Sequence, residues 1–367
     1  ITEIEPAFWN SLFEGRGSFD WNCLKLLEDS FTNNTNENNN WKFNYLVVKD
    51  DMQKPILATF FTTSRQKDDM LASAEISQQI EQLRKNYGHN YLTSVMVSMG
   101  STLTEGEHLY LNNKHPLYKD ALHTMIDFAS QLQEMNNANS IMFRDFKTND
   151  KALNQFFMDN GFIKSNLPES HEVVNFDWST TEEWLATLSP KSRRHVRGNI
   201  LKNENKYDVA VANNPTEAQV QHWYELYTAV KDNSLAINSF TLPYKLFKNI
   251  AAAPGWEVLE LRIKNSQTFT KPVSVIFNYK SANTYSAMYI GVDYAAQGEH
   301  QCYRQALYQS ILRAKHLGIK KVHLGFTSDL EKHRLGAVAS PTLAYVQVKD
   351  NFNLSIINNL TKQLAIR

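Results

Sequence analysis

One stretch of this chain is written twice. Tyr118-Lys-Asp-Ala121-Leu122-His-Thr-Met-Ile126 matches Tyr303-Arg-Gln-Ala306-Leu307-Tyr-Gln-Ser-Ile311 in the placing of Tyr, Ala-Leu and Ile. An apolar run precedes each copy (HLYLN at 108–112, SAMYIGV at 286–292) and another follows it (SIMFRDF at 140–146, KKVHLGF at 320–326). A duplicated strand–helix–strand unit confines the fold to two similar halves. At 367 residues the chain also exceeds what one core usually supports. The expectation is a mixed-sheet α/β (α+β) protein of two tandem domains around a shared cleft. Residues 1–178 form one domain and 179–367 the other.

The local pattern fills in the elements. Strands are expected at 41–49 and 55–62, joined as a hairpin after the Asn-rich stretch 32–40, and at 91–99, 108–112, 140–146 and 171–178. Helices are expected at 71–87, 117–135 and 150–160, the last stopped by Gly161. In the second half Ser189-Pro190 reads as an N-cap followed by proline at the first helical position. A strand at 209–212, a helix at 216–230 and a meander at 256–264, 272–279 and 285–292 follow. The helix at 303–317, ended by Gly318, leads to strands at 321–326 and 342–348.

The copies differ in one respect. Eight positions separate Tyr110 from Tyr118, but fourteen separate Tyr289 from Tyr303. Six extra residues therefore fall between strand and helix in the second copy, around Gln297-Gly298, and such loops are where ligand sites are commonly built. A loop entering a helix N-terminus offers unpaired N–H groups to a phosphate. The splayed backbone at Tyr289, Ile290, Gly291 and Val292 could supply donors to an oxyanion. Asp293 ends that strand, and Glu331 and Lys332 follow the next one in LGFTSDLEKHRLGA (324–337). Asp293 or Glu331 could serve as a base and Lys332 could hold a phosphate or carboxylate; a helix cap and a solvated turn are the plainer readings. Arg144 and Asp145 end a strand in the other half, as cleft residues or as a structural pair. His333 and Tyr303 are further proton-carrier candidates.

GVD, YxxAL and its helix, HLGFT, then EKHRLGA and Pro341 resemble the GCN5-related N-acetyltransferase (GNAT) superfamily, in its tandem FemAB-like acyltransferase and peptidyltransferase group. SPKSRRHVRGNILK is similar to the basic helix that opens the second domain there. Phe143-Arg144-Asp145-Phe146 is similar to the Arg-Asp strand end of the first. The resemblance spans residues 40–348, and the chain lacks the Gln/Arg-x-x-Gly-x-Gly loop of an ordinary acetyltransferase.

It implies an N-acyltransferase that moves an acyl group from a coenzyme A thioester, or from the phosphopantetheine of acyl-carrier protein, to the amine of an amino acid or lipid precursor. The donor would sit on the second half, at Tyr289–Val292, Gln297, Gly298 and Tyr303, and the first half would shape the acceptor side. A thiol leaving group with a pKa of about 8.5 asks little of a general acid. The alternatives are a Fem-type, aminoacyl-tRNA-dependent peptidyltransferase and a non-catalytic acyl-binding module of a larger fusion.

Bulk properties narrow the partners. Thirty-eight basic residues balance thirty-eight acidic ones, so nucleic acid is not expected, although Lys191, Arg193, Arg194, His195, Arg197, Lys202 and Lys206 form a local basic run. A small-molecule amine acceptor is expected, with acyl-carrier protein or a fused or partner biosynthetic enzyme. No run is long enough to span a membrane, and two cysteines suit a reducing cytoplasm. Eleven histidines fall in no metal-ligand spacing, so no metal site is expected. The chain begins at Ile1, as a piece of a longer polypeptide would.

Overall fold

The computed structural model describes residues 1–327 and 329–365; Ser328, within the stretch 324–337, lies outside them. In chain order the first elements are α1 (Pro6–Phe13), α2 (Trp21–Ser30), β1 (Lys42–Lys49), β2 (Pro55–Lys67), α3 (Ala74–Tyr87), β3 (Thr93–Met99), β4 (Tyr110–Leu111), α4 (Tyr118–Met135), β5 (Ser140–Lys147), α5 (Lys151–Asp159) and β6 (Ile163–Asn166). Then come β7 (Ser170–Val173), α6 (Thr181–Thr187), α7 (Pro190–Val196), a π-helical turn (Arg197–Leu201), α8 (Lys202–Glu204), β8 (Tyr207–Val211), α9 (Glu217–Asn233) and α10 (Tyr244–Ile250). The chain continues through β9 (Trp256–Ile263), β10 (Ser274–Lys280), β11 (Tyr285–Val292), α11 (Tyr294–His300), α12 (Cys302–His316), β12 (Val322–His323), α13 (Asp329–Arg334), β13 (Val338–Ser340), β14 (Thr342–Val348) and α14 (Phe352–Ala365).

These elements form two compact units. The first gathers residues 1–167, 234–243 and the segment from 342 onward; the second holds 168–233 and 244–341. A single cut after residue 178 does not reproduce that division. β7 is hydrogen-bonded to β12 and β13, which ties it to the second sheet, while β14 pairs with β5 and β6 in the first. Ladder hydrogen bonds, and not nearness in sequence, decide membership.

Both sheets are mixed. The first has the order β1-β2-β3-β5-β14-β6, with β4 on β2, and the second has the order β13-β7-β12-β11-β10-β9-β8. Each contains one parallel pair, β3 with β5 and β11 with β12, bridged by one long helix. The helices α4 and α12 form for the reason their sequences suggest. Ala121, Leu122, Met125, Ala129 and Leu132 are buried at three- and four-residue steps, as are Ala306, Leu307, Ile311 and Ala314. Ser189 caps α7 by accepting from the Ser192 N–H at 3.2 Å, with Pro190 at its first position.

The parallel pairs revise how the two copies align. The strand equivalent to β11 is β3, not the run at 108–112. The connection from β3 to α4 therefore covers residues 100–117, whereas that from β11 to α12 covers only 293–301. The longer connection belongs to the first copy. Among the described residues no helix is long and apolar enough to cross a membrane.

Candidate active site

The first unit contains a cavity of about 670 Å³ beside the end of β5, bounded by the connection 100–117 and by α4 and α5. Glycine fixes that connection in place. Gly17 and Gly106 form a bridge between two loops; a Cβ on Gly106 would lie 2.1 Å from the Arg16 carbonyl oxygen, and one on Gly17 would lie 2.3 Å from that of Glu105. Only a residue without a side chain allows that approach. Arg16 is thereby held at the cavity wall, where Glu107 pairs with it at 3.6 Å and with Lys147 at 2.5 Å; Lys119, Asp150 and Asp159 also line the wall.

At the cavity base lie His108, Arg144 and Asp145. Asp145 takes a left-handed φ of 64°, which aspartate tolerates better than most residues. Its Oδ2 lies 3.2 Å from His108 Nδ1 and 3.1 Å from Arg144 Nε, close enough to pair but poorly aligned as hydrogen bonds. Arg144 also donates to the Ser101 carbonyl at 2.7 Å, and His108 Nε2 meets Thr104 Oγ1 at 2.9 Å. Phe19 stacks on the His108 ring at 4.6 Å. Burial drives the His108 imidazole below its ordinary pKa despite Asp145. Burial also pushes the Asp145 carboxyl up, but the Arg144 charge and then His108 outweigh it and hold the carboxyl low. The result is a neutral imidazole and an ionised carboxylate on a desolvated floor. Arg144 and Asp145 are together as expected. His108 was missed because it lies in a connection taken for a plain strand.

In the second unit Glu331 is the hub. Arg304 grips it through Nε at 2.5 Å and Nη2 at 2.9 Å, Arg334 reaches it at 2.8 Å and His195 Nε2 at 3.1 Å. The Arg304 bonds come first in holding its carboxyl below the usual range, while burial opposes them. Both oxygens are committed to cations, so the carboxylate braces α13 against α7 and α12 and has little capacity as a base. Lys332 is buried, with its ammonium 2.8 Å from the Gly325 carbonyl and 2.5 Å from that of Phe326. Its amine closes the turn that follows β12 and does not extend toward a solvent-borne phosphate.

The other candidates separate. Asp293 caps α11, accepting from the Ala295 N–H at 2.9 Å, and among the described residues shares no hydrogen bond or ion pair with Glu331. The segment around Gln297 and Gly298 is the helix α11 and not an open loop. Gln297 Oε1 accepts from the Tyr303 N–H at 2.9 Å, so one α12 donor expected for phosphate is already satisfied. Tyr303 itself is half-buried against the core. Tyr289 packs into an aromatic cluster with Trp256, Phe247 and Phe277. Gly291 lies under α9, where a Cβ would come within 2.8 Å of backbone atoms of Leu226 and Tyr227. Tyr289, Ile290, Gly291 and Val292 all pair with β10, and Met288 bulges out of register. On its other edge β11 pairs with β12 only at Tyr285 and Ser286, so among the described residues the rest of that edge has no strand partner. His333 donates Nδ1 toward the Ala337 carbonyl at 3.1 Å.

Known proteins share this architecture. FemX superposes with a TM-score of 0.61 at 10% identity, over 94% of this chain and 96% of that one. L-PGS from Bacillus licheniformis gives 0.52 at 11% identity, covering 96% and 95%. A tandem GNAT protein from the clavulanic acid biosynthesis pathway gives 0.50 at 11% identity, covering 84% and 83%. At such identities the likeness concerns fold, and the fold is that of two tandem GNAT-like domains. No curated protein sequence matches the chain. The FemAB-like family model, described as peptidoglycan biosynthesis/recognition, matches residues 1–364. With that match running over nearly its whole length, the chain belongs to the FemAB-like family.

Proposed function

We propose that the protein is a Fem-type transferase that moves an aminoacyl group from aminoacyl-tRNA to an amine of a peptidoglycan precursor. The family match supports peptidoglycan chemistry. The observation that carries the choice of donor is the basic run in the second unit, where Lys191, Arg194, Lys202 and Lys206 are exposed and Arg197 pairs with Glu182. A zero net charge does not prevent so local an excess from engaging an RNA backbone. The acceptor occupies the cavity of the first unit, whose wall of both signs suits a precursor carrying carboxylates and an amine.

In this reading the amine nitrogen attacks the ester carbonyl. The C–N bond forms, the C–O bond to the terminal ribose breaks, and the amine's proton ends on the departing ribose oxygen. Asp145 Oδ1 lies enclosed beside the cavity floor without a hydrogen bond, so a rotation that uncovers it lets it accept from the incoming amine. The ionised state of Asp145 favours binding over proton removal, because a low-pKa carboxylate is a weak base.

A second reading, N-acyl transfer from a coenzyme A thioester or a carrier protein's phosphopantetheine, is favoured by the Met288 bulge and the open edge of β11. One experiment separates the two. The protein is given a muropeptide precursor with a free side-chain amine and either tRNA charged with radiolabelled amino acid or labelled acetyl-CoA. Transfer from tRNA, abolished by ribonuclease, is the expected result. Transfer from acetyl-CoA alone would reassign the donor.

A further inference from the structure

We infer that Glu169, His171 and His333 form a binding site for one divalent transition-metal ion, with zinc as the natural occupant. The three side chains lie in the second unit, and each offers one ligand atom within 4.8 Å of the other two. Two imidazoles and one carboxylate are a zinc donor set, and a tetrahedral ion with bonds of about 2.0–2.1 Å holds its ligands roughly 3.3 Å apart. Closing from separations of at most 4.8 Å to that spacing requires small rotations of exposed side chains, and Glu169 and His333 are exposed while His171 is buried.

Two further features suit the ion. His333 Nδ1 lies 3.1 Å from the Ala337 carbonyl, which fixes that nitrogen as the protonated one and leaves Nε2 with its lone pair. A backbone carbonyl behind a ligating imidazole is the usual outer partner in such sites. The His171 and His333 rings already stand edge to face at 5.2 Å, an approach that two ligands of one ion must make. His171 comes from β7, Glu169 from the residue just before that strand, and His333 from α13, so no spacing search along the sequence could have found the set.

Three protein ligands leave a fourth tetrahedral position open to water or an anion. An ion here clamps β7 to α13, the helix that carries Glu331 and Lys332.

The test uses full-length protein stripped with chelator and freed of any affinity tag. Zinc chloride is titrated in competition with a chromophoric chelator, and cobalt chloride is followed by visible absorption. One equivalent of zinc is expected, with cobalt bands of four-coordinate intensity. E169Q and H333Q, both at exposed positions, should each weaken zinc binding at least about tenfold while retaining the wild-type circular dichroism. Zinc should raise the wild-type melting temperature but not that of the double variant. Substoichiometric binding, or unchanged affinity in both single variants, would overturn the proposal.

Discussion

The Nδ1 of His108 lies 3.2 Å from Asp145 Oδ2, with His108 fully enclosed and Arg144 on the same oxygen at 3.1 Å. A carboxylate so placed is held by its partners, and they are held by it. Asp145→Asn keeps the shape and removes the charge, leaving Arg144 buried without its counter-ion. Breaking a buried pair from one side costs about 3–5 kcal/mol, so the variant should lose that much in urea unfolding. If Asp145 also accepts from the acceptor amine, KM for the precursor should rise in protein that remains folded. Unchanged stability together with an unchanged KM would remove Asp145 from both roles.

Acid should loosen the first unit through a second network. Glu81 bonds Lys67 at 2.7 Å, Arg84 at 2.7 Å and Asn238 at 2.8 Å. Burial acts on its carboxyl most strongly and upward, but Lys67, Asn238 and Arg84 together bring it down to about 2. A folded-state pKa below the unfolded one gives stability that is complete above about 4.5 and is lost as pH falls toward 2. Glu81→Gln should therefore flatten the stability profile between those values and leave its shape near neutrality unchanged. A variant as acid-sensitive as the wild type would contradict this.

What was legible in the sequence depended on range. α4 and α12 could be read because their buried positions recur within a few residues, and the cap at Ser189-Pro190 is equally local. The alignment of the two copies went wrong because sheet pairing is not local. The run at 108–112 contributes only the two-residue β4, while the strand parallel to β5 is β3. β12 is two residues long where six were expected, because Gly325 and Thr327, with φ of 74° and 66°, turn the chain away. Nothing in sequence marks a backbone carbonyl as the partner of Lys332, whereas for Asp293 the plainer reading, a helix cap, is the one the structure bears out.

Gly291 was expected to expose backbone to a donor, yet it lies against α9. Gly291→Ala would set a methyl within 2.8 Å of the Leu226 and Tyr227 backbone, and a helix backbone yields little. A loss of about 1–3 kcal/mol in unfolding free energy is expected. An alanine variant as stable as wild type would mean that α9 shifts freely.

The sharpest contrast concerns Glu331. As a general base it would make Glu331→Gln about 10²–10⁴-fold slower at an unchanged KM. Its surroundings argue otherwise, since Arg304, Arg334 and His195 engage both oxygens and leave neither for a substrate proton. The glutamine keeps the shape but cannot satisfy two guanidinium groups. The expected outcome is a lowered melting temperature with turnover reduced by less than about tenfold at temperatures where the variant is folded. Arg304→Lys, which cannot reproduce the two-pronged grip, should give a similar loss of stability. If Glu331→Gln instead melts like wild type and loses turnover by the larger factor, the carboxylate is a base, and its arginines serve to orient it for proton transfer.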